Sequence, residues 1–419
     1  MSRIFNIKEH TIEASHIREY ARATSHSQDE KLWLHVKQYT PKDNPHPQKG
    51  DVTLIGGHAN GFPKELYEPL WEEFYHAAKS RNIRIRSIYF ADAAWQGQSG
   101  IINQDALGND PGWLDYARDI LHMINTFRPP PPIMGMGHSF GANALTNVAL
   151  LHPRLLTSLV LLDPVISHYA STPQANGSGP AGISTYRREV WPSRQEAAAS
   201  FNRSPFYKSW DPRVLERWLD YGIRNVPGEQ AVTLTTTKHQ EVFTFLRPSW
   251  DAYDAKGKAL VRPELVPDLN PSLNDRWPTY PLYRPEGANT VTRLPNVRPS
   301  VLYVFGGQSD ISLPEIQAEK MALTGSGVGG SGGEAKGRVK KVVGDKNGHL
   351  IPMENPSFCA SAAAEWIEAE IERWWVDERA YEEWTRKSKE DKTTISDEYK
   401  RYVGNPKGRG SRDKAKAKI

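Results

Sequence analysis

The run Gly135-Met136-Gly137-His138-Ser139-Phe140-Gly141-Ala142 contains the pattern G-x-S-x-G centred on Ser139. A serine between glycines suits a sharp bend from strand to helix, because the backbone at the serine is strained and larger neighbours would collide. Such a bend lifts the Ser139 hydroxyl out of the sheet. It also leaves the amide of Phe140 at a helix N-terminus, where it can donate to a developing oxyanion. A hydroxyl is a weak nucleophile until a neighbouring base takes its proton. Of the 13 histidines, His349 is set apart by its place in Asp345-Lys346-Asn347-Gly348-His349, on a loop after a predicted strand and before the last predicted helix. It is the expected general base, taking the proton of Ser139 and returning it to the leaving group.

A second oxyanion donor is expected from Gly56-Gly57-His58-Ala59-Asn60-Gly61-Phe62, which closes another predicted strand; the amide of Asn60 is the candidate. The bland alternative for this stretch is a glycine-rich turn. Two residues compete to orient His349. Asp163 closes the apolar run Leu156–Leu162, and Asp310 follows Val301–Phe305 in Gly306-Gly307-Gln308-Ser309-Asp310. Both stand at carboxyl ends of predicted strands, where catalytic groups gather in open α/β sheets. Spacing slightly favours Asp310, although either acid could merely serve a turn or cap.

The elements that must position these residues are legible as an alternation. Leu32–Thr40 alternates apolar and polar residues and predicts an exposed antiparallel strand. Val52–Ile55, Ile83–Phe90, Ile133–Gly137 and Leu156–Leu162 predict further strands, separated by helical periodicity over Glu65–Lys79, Trp113–Phe127 and Phe140–Leu151. From about Pro164 to Pro299 the alternation lapses into Pro, Trp, Tyr and Arg-rich sequence, with a helical patch at Val214–Tyr221. It resumes with strands at Val301–Phe305 and Val339–Val343 and a helix over about Pro356–Trp375. Alternating strands and helices predict a mostly parallel central sheet flanked by helices, and with the Ser139 bend this is the α/β-hydrolase fold with a large inserted cap. The expected organisation is a core over residues 1–164, a cap over 165–298, the rest of the core over 299–375 and a charged extension over 376–419. Gly325–Gly337 lacks the lysine and context of a phosphate-binding loop and predicts a flexible surface insertion.

Composition bounds the function. The 419 residues carry 38% hydrophobic and 24% charged side chains, a globular balance. One cysteine, Cys359, allows no internal disulfide, and Met1–Ala23 has no apolar segment of a secretory signal. No stretch is long and apolar enough for a membrane span. The net charge of +4 belongs to the tail: residues 405–419 hold six Lys or Arg against Asp413. A short basic tail of this kind reads as a solvated extension, so no nucleic-acid partner is expected. No H-E-x-x-H or Cys/His cluster at ligand spacing occurs, so neither a metal nor another cofactor is expected. Asp377–Tyr402 is either a solvated helix or a contact of a homodimer.

At this point the chain resembles the fungal peroxisomal α/β-hydrolases of secondary-metabolite pathways, the group of mycophenolic acid acyl-CoA hydrolase and the AK-toxin biosynthesis hydrolases. The resemblance is carried by Gly57-His58-Ala59-Asn60-Gly61-Phe62-Pro63-Lys64-Glu65, Gly137-His138-Ser139-Phe140-Gly141, Leu161-Leu162-Asp163-Pro164 and Gly348-His349. It implies Asp163 as the acid, with Asp310 as runner-up, and an acyl-CoA thioester as substrate. It also gives meaning to Ala417-Lys418-Ile419, a small-basic-aliphatic ending like the peroxisomal address S-K-L. The import receptor is then an expected partner and the peroxisomal matrix the expected location, with the cytoplasm as the alternative. Triad chemistry serves oxygen esters equally, so an esterase or lipase is the competing enzymatic reading. A catalytically idle ligand-binding protein on the same scaffold is the competitor of another class. Trp191, Phe206, Tyr207, Trp210 and Trp218 read first as packing within the cap and second as the wall of an acyl pocket. Arg187, Arg188 and Arg213 are cations that could meet CoA phosphates, with nothing to choose among them.

Overall fold

Eight strands build one sheet in a computed structural model that describes residues 2–168, 179–270 and 281–406. They are β1 (Phe5–Glu13), β2 (Trp33–Pro41), β3 (Val52–Gly57), β4 (Ile85–Ala91), β5 (Ile133–His138), β6 (Ser158–Leu162), β7 (Ser300–Gly306) and β8 (Val339–Gly344). In space they run β1-β2-β4-β3-β5-β6-β7-β8. The pairs β1/β2 and β2/β4 are antiparallel and all others are parallel. β3, β5, β6 and β7 are buried along their whole length, as expected of strands covered on both faces.

Helices α1 (Glu68–Ser80), α2 (Trp113–Phe127) and α3 (Phe140–Leu151) supply the crossovers between the early strands. α1 starts later than the periodicity suggests. Pro69 occupies its first turn, where a missing amide costs nothing, and residues 64–67 wind as a tighter turn before it. α3 is buried on every side from Phe140 to Ala149, which explains why its sequence is apolar throughout and not amphipathic.

Three expectations need correction. β2 is antiparallel but not exposed: β1, an element the sequence did not announce, pairs along its outer edge, and Leu34, Val36 and Tyr39 lie in the core. β1 escaped notice because it is an edge strand with charges on its solvent side. Gly325–Gly337 is not a loose insertion. Its backbone is tied down by Gly325 N donating to Leu294 O, Gly327 N to Pro295 O and Ser331 N to Val297 O. The final helix, Pro356–Thr385, outruns its apolar periodicity because its last turns are mostly exposed.

Between β6 and β7 the described residues form short helices, among them Pro212–Arg217 and α4 (Lys238–Phe245), and a small sheet of Val190–Trp191, Ile223–Asn225 and Val232–Leu234. This segment belongs to the same compact unit as the sheet, Met1–Glu370. A second unit, Ile371–Ile419, contains the exposed helices Lys389–Thr393 and Asp397–Val403, whose N-caps are Ser388 and Ser396. Among the described residues no helix is long and apolar enough to cross a membrane.

The strand order fixes where chemistry can occur. From β3 the chain steps to β4 on one side and then to β5 on the other, so the carboxyl ends of β3 and β5 diverge around a crevice. The register pairs Gly57 with Gly137 and His138 with Leu162. The loops beginning at His58, Ser139 and Asp163 therefore open at one edge of the sheet.

Candidate active site

Ser139 occupies the bend between β5 and α3 with φ of 56° and ψ of −117°, a left-handed conformation that a side-chain-bearing residue adopts only under constraint. The constraint is close packing of glycines. A Cβ on Gly141 would stand 2.2 Å from the carbonyl carbon of Gly57, and one on Gly137 would stand 2.8 Å from the oxygen of Gly141. β3, the bend and the start of α3 can touch only because all three positions lack side chains. The ring of Phe140 then anchors α3: it stacks on Tyr116 at 5.2 Å and meets Trp113 edge-on at 5.1 Å.

His349 arrives from the loop after β8 and must cross the end of β7 to reach Ser139. Gly306 and Gly307 make that crossing possible. A Cβ on Gly306 would lie 2.1 Å from the carbonyl oxygen of Gly348, and one on Gly307 2.7 Å from Cα of Asp345. The loop is then stitched down by Gln308 N donating to Asn347 O and Gly348 N donating to Glu354 Oε2, both at 2.8 Å. His349 Nε2 lies 2.9 Å from Ser139 Oγ, and Nδ1 lies 2.6 Å from Asp163 Oδ2.

Asp163 is fully buried and also has positive φ. Its Oδ1 accepts from Gly306 N at 3.1 Å, and its Oδ2 accepts from Ser309 Oγ at 2.6 Å. Burial on its own would raise this carboxyl. The hydrogen bond and charge of His349, with the Ser309 and Ser312 hydroxyls, outweigh burial and hold it below the usual carboxylate range. An ionised Asp163 makes Nδ1 of His349 the protonated nitrogen and leaves Nε2 to accept from the serine hydroxyl. Lys320, buried on a helix over Pro314–Leu323, donates to Pro164 O at 2.9 Å and pins the neighbouring backbone.

Asp310 is not in this chain of contacts; it lies exposed in the turn after β7. The segment Gly306–Asp310 meets the site through other residues: glycines under the His349 loop, and Ser309 on Asp163. Ser309 was missed because a serine beside a tempting aspartate carries no spacing signal of its own.

A second chain of contacts, also unread in the sequence, joins the loops. Ala59 N donates to Tyr67 Oη at 2.8 Å, Tyr67 Oη meets His138 Nδ1 at 2.9 Å, and His138 Nε2 meets the carbonyl of His349 at 2.9 Å. A carbonyl only accepts, so His138 carries its proton on Nε2 and Tyr67 donates to Nδ1. Burial, reinforced by the adjacent His349 ring, pushes His138 down to about 3, so it stays neutral. The amides of Phe140 and Asn60 have no hydrogen-bond partner among the described residues. Donors left open beside a polarised hydroxyl can hold the oxygen of a tetrahedral adduct.

The aromatic residues of the inserted segment pack on one another and on Phe62. Trp210 and Trp218 lie 5.6 and 6.1 Å from the Phe62 ring, and Tyr207 stacks on Trp218 at 5.8 Å. The three arginines are engaged within the protein: Arg187 with Glu241, Arg188 with Val190 O, and Arg213 with Asp211 and Glu73. Among the described residues no group of three or more His, Cys, Asp or Glu is placed to hold a metal ion.

The model of the Alpha/beta hydrolase family matches residues 57–362, a span that includes Asn60, Ser139, Asp163 and His349. Type I acyl-CoA thioesterase mpaH of Penicillium brevicompactum is 40% identical over 442 aligned positions, covering 98% of this chain and 99% of that protein. Abhydrolase domain-containing protein AFT2-1 of Alternaria alternata is 29% identical over 243 positions, covering 57% of this chain and 83% of that protein. Among solved structures, the peroxisomal alpha-beta-hydrolase Lpx1 from Saccharomyces cerevisiae gives a TM-score of 0.65 at 16% identity, over 94% of this chain and 100% of that one, a likeness of fold.

Proposed function

This chain belongs to the alpha/beta hydrolase family, and from that premise we propose that it is a serine hydrolase of fungal secondary metabolism that cleaves acyl-CoA thioesters to a free acid and CoA. The observation that carries the hydrolase reading is the continuous contact from Asp163 through His349 to Ser139. The thioester is supported by full-length similarity to a protein named for that activity.

In this reading Ser139 Oγ attacks the thioester carbonyl carbon while His349 Nε2 takes its proton. The amides of Phe140 and Asn60 receive the carbonyl oxygen as it becomes an oxyanion. Collapse breaks the C–S bond, and CoA leaves as the thiol after receiving the proton from His349. A thiol of pKa roughly 8.5 is a far better leaving group than an alcohol. Water, deprotonated by His349, then attacks the acyl-enzyme, and Ser139 recovers its proton as the acid departs.

Purified protein offered matched acyl-CoA and oxygen-ester substrates is expected to prefer the thioester in kcat/KM by about tenfold or more, equivalent to about 1.4 kcal/mol in the barrier. A preference for the ester would replace the thioesterase by a carboxylesterase or lipase. Failure of a fluorophosphonate to label the protein would favour a non-catalytic binding role.

Ala417-Lys418-Ile419 lies outside the described residues and follows the small-basic-aliphatic pattern of a peroxisomal address. We propose that it engages the peroxisomal import receptor and sends the enzyme to the matrix. A fluorescent fusion at the N-terminus should accumulate in peroxisomes and become cytoplasmic when the three residues are deleted. Continued import of the truncated fusion would refute that role.

A further inference from the structure

Asn60 contributes an amide to the proposed chemistry, yet its side chain points into a buried polar network that reaches away from the sheet. Asn60 Nδ2 donates to the carbonyl of Glu241 in α4 at 2.9 Å. Gln96, fully buried in the turn after β4, bridges the rest: its Oε1 accepts from Gly61 N at 2.8 Å, and its Nε2 donates to Asn60 Oδ1 at 2.6 Å and to Thr244 Oγ1 at 3.1 Å. Thr244, also in α4, donates to Gln240 O at 2.7 Å and accepts from Trp95 Nε1 at 2.7 Å. Trp113 Nε1 donates to the carbonyl of Thr244 at 2.7 Å.

The orientation of both amides is forced. Gly61 N–H can only donate, so it faces Oε1 of Gln96; Glu241 C=O can only accept, so it faces Nδ2 of Asn60. The remaining Gln96 Nε2 and Asn60 Oδ1 then meet as donor and acceptor. Every polar atom of the two side chains that faces the network is matched, which is the condition under which a buried network fixes one conformation. Among the described residues, the N–H of Asn60 is the one backbone donor of His58–Phe62 left without a partner. The Glu241 carboxylate supports the same arrangement from the other side. It binds Ser184 Oγ at 2.6 Å and Arg187 Nη1 at 2.8 Å, and a Cβ on Gly61 would come within 2.9 Å of its Cδ.

We propose that Gln96 is a positioning residue for the oxyanion hole, holding the Asn60 amide toward the substrate carbonyl only while α4 of the inserted segment is docked against the loop after β3. The inference rests on the serine-hydrolase reading and deepens it: the inserted segment becomes part of the apparatus that stabilises the transition state. Docking of α4, and with it any acyl chain that disturbs α4, then sets kcat and not merely binding.

The test is Gln96→Met, which keeps the length of the side chain and removes its donors and acceptor. A displaced oxyanion donor is expected to lower kcat per titrated active site about 10- to 100-fold with KM within about threefold. Affinity for a trifluoromethyl ketone carrying the same acyl chain should fall in parallel, because its adduct puts an alkoxide where the oxyanion forms. Thr244→Val, which removes the contact from the α4 side, should show a smaller loss of the same kind. The double variant should be no worse than Gln96→Met within about twofold. Wild-type kcat and ketone affinity in Gln96→Met, or losses confined to melting temperature and the number of titratable sites, would overturn the proposal. Should Gln96→Met not fold, unchanged ketone affinity in Thr244→Val would overturn it as well. Ser139→Ala separates the two levels. If it turns over thioester within about tenfold of wild type, the serine-hydrolase reading falls and this inference with it; if its kcat falls by about 10⁴-fold or more while Gln96→Met is normal, this inference falls alone.

Discussion

Replacing Ser139 by alanine is expected to lower kcat for thioester hydrolysis by about 10⁴- to 10⁶-fold while leaving the melting temperature near that of the wild type. The size of the effect follows from what is lost. In the proposed mechanism Oγ carries the acyl group, so without it hydrolysis must proceed by direct attack of water with only binding and oxyanion stabilisation left to assist. His349→Ala should cost about as much, and the double variant little more than either, because in the proposed mechanism the two side chains, 2.9 Å apart, act as one unit. The direct measurement is intact mass after brief exposure to an acyl-CoA. Wild-type protein should gain the mass of the acyl group, and Ser139→Ala should gain none. An acyl adduct on Ser139→Ala, or activity within about tenfold of wild type, would remove Ser139 from the mechanism. Stability should change little, because the φ of 56° at this position already strains any side-chain-bearing residue, serine or alanine alike.

Much of this arrangement could be read in the chain, and the reasons are physical. Strands buried on both faces leave unbroken apolar runs, so β3, β5, β6 and β7 announced themselves within a residue or two of their ends. The helix over Trp113–Phe127 did the same through its amphipathic period. The bend at Ser139 was legible because its glycines are a steric necessity: Gly57, Gly137 and Gly141 touch. β1 left no such mark, since an edge strand buries little and tolerates charge. What could not be read were contacts that depend on three-dimensional closure. Tyr67, His138, Gln96 and Ser309 are ordinary residue types at unremarkable spacings. Each matters only because a loop from another strand lands within hydrogen-bonding distance. The inserted segment was opaque for a related reason: its aromatic residues pack through side-chain clusters around Phe62, which impose no period on the sequence.

The proposal of Asp163 over Asp310 as the acid rests on contacts that spacing does not express. Asp310 follows β7 and Asp163 follows β6, and both satisfy the chain order of nucleophile, acid and base. The glycines at the end of β7 are occupied in letting the His349 loop pass over them, which carries the imidazole beyond β7 toward the end of β6. Asp163→Asn is therefore expected to lower kcat by about 10⁴-fold, whereas Asp310→Asn should stay within about twofold of wild type. The cause of the loss can be specified. Gly306 N–H donates to Oδ1 of Asp163, so an amide at this position keeps its oxygen on that side and turns its NH₂ toward His349 Nδ1. Nδ1 must then accept, the imidazole proton moves to Nε2, and Nε2 can no longer take a proton from Ser139. The geometry survives while the tautomer is wrong. Steady-state kinetics on both variants check this, and NMR of the His349 ring nitrogens in Asp163→Asn should show the proton transferred from Nδ1 to Nε2. Near-normal turnover in Asp163→Asn, or a large loss in Asp310→Asn alone, would return the assignment to the turn after β7.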